Sequence, residues 1–437
     1  MNARRSAAAL AVSVVLGTAL APAATAAGAA RQDTPKPTAS ALPEALYGSG
    51  DPRFDGVWRQ SLALLAQDAS GLTPPAAAVD WLAGQQCADG GFAAYRDETA
   101  TPCEPKKGEF SDATAAAVQA LAAVGGRGAV VEKGIAWLKR QQNDDGGWGM
   151  NPGSPSDANS TATVIGAFAA AGEDPAGITS AKGGHSPYDA LLALQLGCDA
   201  DRDERGAFAY QPDKGKLHAN PLATTAAALA AHGKGFVFDV AKADKTDKPL
   251  APLDCDGGSG DDKAAREPAA GADAATAYLS AALAANGQHL NGTMPGQEKQ
   301  PDVGGTADAV LALAAGGHRE AAAKPLKWLT GKEAGAVAWA EDQPAALAKL
   351  ILAGRAAGAD PRDFGGTDLL RALGETGPGA GTPSADPSGT ERKKDSENDK
   401  DDNDDDGGYG VWWIVGVGAV MGIGIGFLLS GRKKQQH

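Results

Sequence analysis

The chain has 437 residues, a formal net charge of −14 and 43% hydrophobic residues, so it can bury a sizeable core in one large domain or two ordinary ones. Aromatics are only 5% while glycine reaches 59, which suits thin, tightly packed helices better than a β-sandwich of β-branched and aromatic strands. Lys and Arg are scattered and number 40 against 54 Asp and Glu, which argues against nucleic acid as a partner.

Both ends carry topogenic patterns. Arg4 and Arg5 precede an apolar run from Ala7 to Leu20, and Ala24-Thr25-Ala26 fits a signal-peptidase site, so residues 1–26 read as a signal peptide. The folded domain is expected to cover residues 46–373. Residues 374–410 read as a disordered acidic stalk, because Glu391 to Asp406 holds nine carboxylates against four bases and little that is apolar. A flexible coil of that length spans roughly 35 Å.

Val411 to Leu429 is uncharged, opens with Trp412 and Trp413, and is followed by Arg432-Lys433-Lys434. At 1.5 Å per residue the run spans roughly 28 Å, so 411–429 is expected to be a transmembrane helix and 430–437 a basic cytoplasmic tail. These segments predict a single-pass protein of the cell membrane whose folded part lies outside. The glycines 418, 422 and 426 suggest a packing face on the anchor for a membrane transporter.

The folded part is repetitive. Val79-Asp80-Trp81-Leu82, Gln85-Gln86 and Asp89-Gly90-Gly91-Phe92 recur 56 residues later as Ile135-Ala136-Trp137-Leu138, Gln141-Gln142 and Asp145-Gly146-Gly147-Trp148. Weaker copies are led by Leu191, Tyr278-Leu279 and Trp328-Leu329. Each continues into a second apolar segment: Asp112 to Gly125, Asn159 to Gly172, Asn220 to Gly233, Gly304 to Gly317 and Gln343 to Gly358. These run through Ala, Leu and Val at helical spacing and stop at glycine, with Asp112, Asn159 and Asn220 placed to cap. Each repeat therefore predicts an αα-hairpin.

Five hairpins leave one unpaired helix at each end, Phe54 to Gln67 and Gly366 to Leu373. These make a sixth hairpin only if the array closes on itself. An open solenoid would leave terminal apolar faces uncovered. The expectation is an all-α, closed α/α toroid of about twelve helices.

The spacing of Gln85 or Gln86 to Gly90-Gly91-Phe92, and of Gln141 or Gln142 to Gly146-Gly147-Trp148, resembles the Gln-Trp repeat of the terpene cyclase and protein prenyltransferase α/α-toroid superfamily. The same toroid serves the complement thioester domain and the cobalamin carriers. The resemblance covers most of residues 46–373 and implies a scaffold in which the Gln amide bonds turn backbone under an aromatic ring. It does not by itself imply an activity.

The chemistry of that superfamily can be sought residue by residue. A cyclase needs an Asp-x-Asp-Asp acid and an aromatic-walled cavity; the toroid region has no such motif, and its literal matches, Asp399 to Asp402 and Asp402 to Asp405, fall in the acidic stalk. Asp144-Asp145 and Asp261-Asp262 lack the third carboxylate of a diphosphate-metal motif. Asp254-Cys255-Asp256 offers zinc ligands, but no histidine follows at a metal-site spacing. Four cysteines in an exported chain favour disulfides instead, preferably Cys87 with Cys103 and Cys198 with Cys255, other pairings being open. No metal and no cofactor are expected.

What remains is a cavity mouth carrying Asp112, Asn159 and Asn220, then Thr114, Thr161 and Thr306, then Asp308, Thr163 and Thr224. Short polar groups above alanine walls suit a large polar ligand, and the likeness to cobalamin carriers makes a corrinoid a candidate ligand, captured for uptake. The plain alternatives are capping for the first three residues and back-bonding to helix carbonyls for the threonines. The sequence thus points to a membrane-anchored, non-catalytic binder of a small molecule. An isoprenoid-processing enzyme with a divergent acid is a second expectation, and a cell-surface interaction module a third.

Overall fold

The computed structural model describes residues 42–104, 108–239, 247–255, 267–378 and 416–417. In chain order the helices are α1 (Gly56–Ala69), α2 (Ala76–Gly84), α3 (Ser111–Val124), α4 (Gly128–Arg140), α5 (Ala158–Ala170), α6 (Pro187–Leu192), α7 (Pro221–Ala231), α8 (Pro268–Ala285), α9 (Val303–Ala315), α10 (Arg319–Thr330), α11 (Ala336–Ala340), α12 (Pro344–Ala356) and α13 (Leu369–Glu375). Proline at the first position of α6, α7, α8 and α12 starts those helices where a missing N–H costs nothing. The closing glycines stand where expected: Gly125, Gly172 and Gly233 have φ of 71°, 77° and 65°, left-handed values that stop a helix.

The first segment and the five second segments form an inner ring. Helix α1 packs on α3, α3 on α5, α5 on α7, α7 on α9, α9 on α12, and α12 returns to α1. Helices α2, α4, α6, α8, α10 and α13 pack outside that ring against α1, α3, α5, α7, α9 and α12. Each inner helix is enclosed by neighbours on both sides and an outer layer, so it is apolar around most of its circumference. In α1 every residue but Asp68 is buried. Alanine dominates the inner helices because small side chains let axes approach closely. The closed all-α toroid expected from the unpaired terminal segments is therefore the observed architecture.

The seal between the two ends lies just outside the expected boundaries. The Gly48 amide donates to the Thr376 carbonyl at 2.7 Å, and the buried Tyr47 hydroxyl bonds the Pro378 carbonyl. Gln67 Nε2 donates to the same hydroxyl at 2.8 Å. The folded part thus continues past Leu373 to Pro378, because Tyr47 needs that strip of chain to cover its ring. Residues 374–378, assigned to the stalk from sequence, belong to the ring closure.

The fourth repeat replaces its tight turn with a small hairpin. Strands β2 (Leu290–Asn291) and β3 (Pro301–Asp302) pair antiparallel with Leu290 opposite Asp302. A second pair joins Phe236–Val237 to Gly416–Val417, also antiparallel. The expected signal peptide, the stalk beyond Pro378, the tail and the rest of the 411–429 span lie outside the described residues. No helix among the described residues is long and apolar enough to cross a membrane. Both preferred disulfides are present, Cys87–Cys103 and Cys198–Cys255, with Cα separations of 5.8 and 5.5 Å.

Candidate ligand-binding site

The repeat motif builds the frame of the site. Gln86 Nε2 donates to the Gly90 carbonyl of its own turn at 3.1 Å and to the Val130 carbonyl of the next outer helix at 2.8 Å. Gln195 repeats this with Gly206 and Gly271 at 3.0 and 2.8 Å, and Gln142 bonds Gly146 at 2.8 Å. Gly90 and Gly146 have φ of 107° and 92°, and a Cβ on them would lie 2.3 Å from Lys133 O and 2.2 Å from Ser186 O. Only glycine lets these turns press on the next repeat. The glutamine half of the expected scaffold role is therefore seen. The aromatic ring turns into the core instead: Trp148 is buried and donates Nε1 to the Leu138 carbonyl at 2.8 Å.

The predicted threonines divide into two sets. Thr114, Thr161, Thr224 and Thr306 are equivalent, each four residues after its helix's N-cap residue. Their hydroxyls accept the backbone N–H of Phe92, Trp148, Phe208 and Leu290 at 2.9 to 3.0 Å. Thr114, Thr224 and Thr306 also donate to the carbonyl four residues back. These hydroxyls pin each turn to its inner helix and are spent in doing so. The expected register, which set Thr224 beside Asp308 and Thr163, is corrected by this: Asn220 is a true N-cap, accepting from Ala223 N at 3.0 Å, whereas Asp112 and Asn159 lie two residues inside their helices. The caps that the sequence concealed are Asp157 and Asp302, accepting from Ser160 N and Gly305 N at 2.8 Å.

Two residues after the N-cap, and again one turn deeper, the helices present a second set. It comprises Asp112 and Ala116 on α3, Asn159 and Thr163 on α5, Leu222 and Ala226 on α7, Gly304 and Asp308 on α9, and Ala345 and Lys349 on α12. On α7, α9 and α12 this face opens onto a cavity of about 510 Å³. Trp58 and Leu62 of α1 complete the inner wall, while Trp339 and the β2–β3 loop, with Met294 and Gln297, form the outer one. On α5 and α7 the deeper positions meet only a space of about 10 Å³, lined by Thr163, Ala226 and Gln119 among others. Of the nine candidate residues, Asp308 alone lines the large cavity, Thr163 alone the small one, and Asp112 and Asn159 neither. Thr163 donates to the Asn159 carbonyl at 2.8 Å.

Lys349, which sequence reasoning missed, supplies the main electrostatic feature. Its Nζ lies 2.8 Å from Asp308 Oδ2, with the two side chains only 14% and 8% exposed. Burial pushes the Asp308 carboxyl up to about 6, with the Lys349 ammonium opposing the shift. Asp308 Oδ1 is buried without a hydrogen-bond partner; leaving a charged acceptor so costs upwards of about 1–3 kcal/mol. On the other side of the ring, Asp112 and Asp157 are each pushed up to about 6 by burial, opposed by bonds from Ala113 N to Asp112 and from Ser160 N and Oγ to Asp157. Glu109, also unforeseen, is raised to about 7, mainly by burial; its Oε2 accepts Trp137 Nε1 at 2.8 Å. It lies close to the Cys87 and Cys103 sulfurs, but sulfurs bonded to each other are not thiolate ligands.

Trp339, one of two large apolar side chains that stand exposed among the described residues, lines the large cavity and is 37% exposed.

The architecture is an α/α toroid, an inner ring of helices inside an outer layer. Solved structures similar to it include a protein from Actinoplanes, 19% identical over 66% of this chain and 75% of the other, with a TM-score of 0.40. Another is ent-copalyl diphosphate synthase from Streptomyces platensis, 21% identical over 69% of this chain with a TM-score of 0.42, of which the chain spans half the length. A third is the type II terpene cyclase MstE from Scytonema, 14% identical over 65% of this chain and 72% of that one, with a TM-score of 0.39. No protein-family profile and no curated protein matches the chain. These likenesses concern the chain trace, and no residue's role follows from them.

Proposed function

We propose that the protein is a small-molecule-binding toroid that holds its ligand in the cavity between α1, α7, α9 and α12. One observation carries this reading: a cavity of about 510 Å³ with apolar walls at Trp58, Leu62, Leu222 and Trp339 contains a single buried ion pair, Asp308–Lys349. Ligand sites are mostly apolar clefts of this volume with a few convergent polar groups. A corrinoid is much larger than the drug-sized molecules that such a cavity buries, so the ligand class is narrowed to smaller compounds. Export and tethering remain part of the proposal, supported by the sequence patterns at both ends and by two disulfides, which suit an oxidising compartment. Delivery to a membrane transporter depends on the 411–429 segment.

The second reading is an isoprenoid-processing enzyme, as the terpene cyclases named above are, with Asp308 as its acid. Aromatic Trp58 and Trp339 and a carboxyl raised to about 6 favour it. Asp308 is paired with the Lys349 ammonium at 2.8 Å and the toroid region lacks an Asp-x-Asp-Asp acid, so we place binding without conversion first. Thermal-shift screening of the full chain against farnesol, squalene, geranylgeranyl diphosphate and cobalamin, with product analysis of each mixture, tests both. Stabilisation without new products is expected; cyclised or transferred product lost in D308N would establish the enzyme instead.

A further inference from the structure

We infer that the ligand is a neutral amphiphile whose hydroxyl head is held between Asp308 and Lys349, with its apolar tail leading out past Trp339. This rests on the reading of the mouth cavity as the binding site and names the chemistry that the site selects.

The head-group argument starts from the ion pair. Asp308 Oδ2 takes the Lys349 ammonium, and Oδ1 has no partner. The ammonium has three N–H donors, and among the described residues its hydrogen-bond partner is that one oxygen. The pair therefore offers one vacant acceptor next to vacant donors, on two residues that line the cavity. A hydroxyl is both donor and acceptor, so it satisfies the two at once.

Charged heads fit less well. An anion drawn to Lys349 is set against Asp308 within hydrogen-bonding reach, and a second lining carboxylate, Asp302, adds repulsion. Arg59 already neutralises Asp55 at 3.1 Å, and Asp302 is committed to Gly305 N. Among the described lining residues Lys349 is the one cation, and it is paired, so a diphosphate has too little positive charge to meet it. A cationic head meets the converse problem at Lys349.

The direction of the tail follows from burial. Asp308 and Lys349 lie one helical turn below Gly304 and Ala345, which line the outer part of the same wall. The path outward passes Leu222 and Met294 and ends at the exposed Trp339. Exposed aromatics at a cavity rim are costly unless an apolar partner covers them.

The test is isothermal titration calorimetry of the full chain at pH 7.5 with a ten-carbon series, each probe below its aggregation limit: 1-decanol, decanoate, decylammonium and decyl phosphate. Decanol is expected to bind at least tenfold more tightly than the three charged probes. The double variant D308V/K349M, which removes both charges together and so leaves no unpaired one, is expected to lose that tenfold. Trp339→Ala is expected to weaken all probes by a similar factor, near fivefold. A charged probe binding as tightly as decanol, or undiminished decanol affinity in D308V/K349M, overturns the head-group inference. Ala345→Trp, which fills the cavity, separates the two levels. If it abolishes binding of a preferred charged probe, the cavity reading stands and only the head group is wrong; if no probe binds, or binding ignores this variant, both fail.

Discussion

The α3–α5 side of the ring and the α9–α12 side are built on the same frame and end in different places. Thr161 and Thr306 make the same bond, accepting Trp148 N at 3.0 Å and Leu290 N at 2.9 Å. Two residues away the sides diverge. On one, Thr163 faces a space of about 10 Å³; on the other, Asp308 and Lys349 face about 510 Å³. The pinned threonine sets where an inner helix begins, and the positions flanking it are free to vary without disturbing the ring. Scaffold and site therefore occupy alternate faces of the same helical turn.

Removing the Cys198–Cys255 staple acts on the frame at large and sets the upper scale. Its span of 57 residues corresponds to about 4 kcal/mol of unfolded-state entropy, so C198A/C255A is expected to lose roughly that in denaturant unfolding. A loss below 1 kcal/mol would mean that the loops are held by other contacts. Next, Lys349→Met leaves Asp308 without its cation and is expected to cost about 3 kcal/mol, the low end for a buried pair because the cavity admits water. On the closed side Thr163→Val should cost less than about 1 kcal/mol, since it deletes one hydroxyl bonded within its own helix. Equal costs would erase the distinction between the sides. Thr161→Val and Thr306→Val, by contrast, should be alike at about 2 kcal/mol, each stranding a buried amide.

The smallest effect is on pH. Asp112, Asp157 and Asp308, each at about 6 in the folded chain, have folded values above their unfolded ones. The native state therefore binds more protons between about pH 4 and 6, and stability falls as pH rises through that window. His232, lowered to about 4 chiefly by burial, acts oppositely and loses stability as pH drops below its ordinary range. Glu109, raised to about 7, and Asp68, raised to about 6, act in the same sense as these three, so with several carboxyls set against His232, melting at pH 5 is expected a few degrees above that at pH 7.5. The dependence should shrink by similar amounts in Asp112→Asn and Asp308→Asn, because each removes a carboxyl raised to about 6. Melting that rises from pH 5 to 7.5 would contradict these assignments.

Much of this was legible in the sequence. The 56-residue shift, the closing glycines and the two stray terminal segments were enough for a closed ring, because each hairpin must hide one face and an even number closes the circuit. The disulfides followed from two long turn insertions. Caps were read less well: Asp112 and Asn159 look like N-caps, but Asp157 and Asp302 do that work, and the difference of two residues decides which side chains reach the lumen. Lys349 was missed because Pro344 to Gly354 reads as plain core. A lone charge in such a run, at the same offset from Gln343 as Asp308 from Asp302, was the available signal. Trp58 and Trp339 gave no such signal, since only the folded ring shows that they face one cavity.

The account depends most directly on ligand occupying the space beside Ala345. Calorimetric affinity for 1-decanol, measured on the wild-type chain and on Ala345→Trp with melting temperatures checked in parallel, is the decisive comparison. Binding at least tenfold weaker in a variant that melts like the wild type is the result expected. The same affinity in both proteins would place the ligand elsewhere and remove the site from the argument.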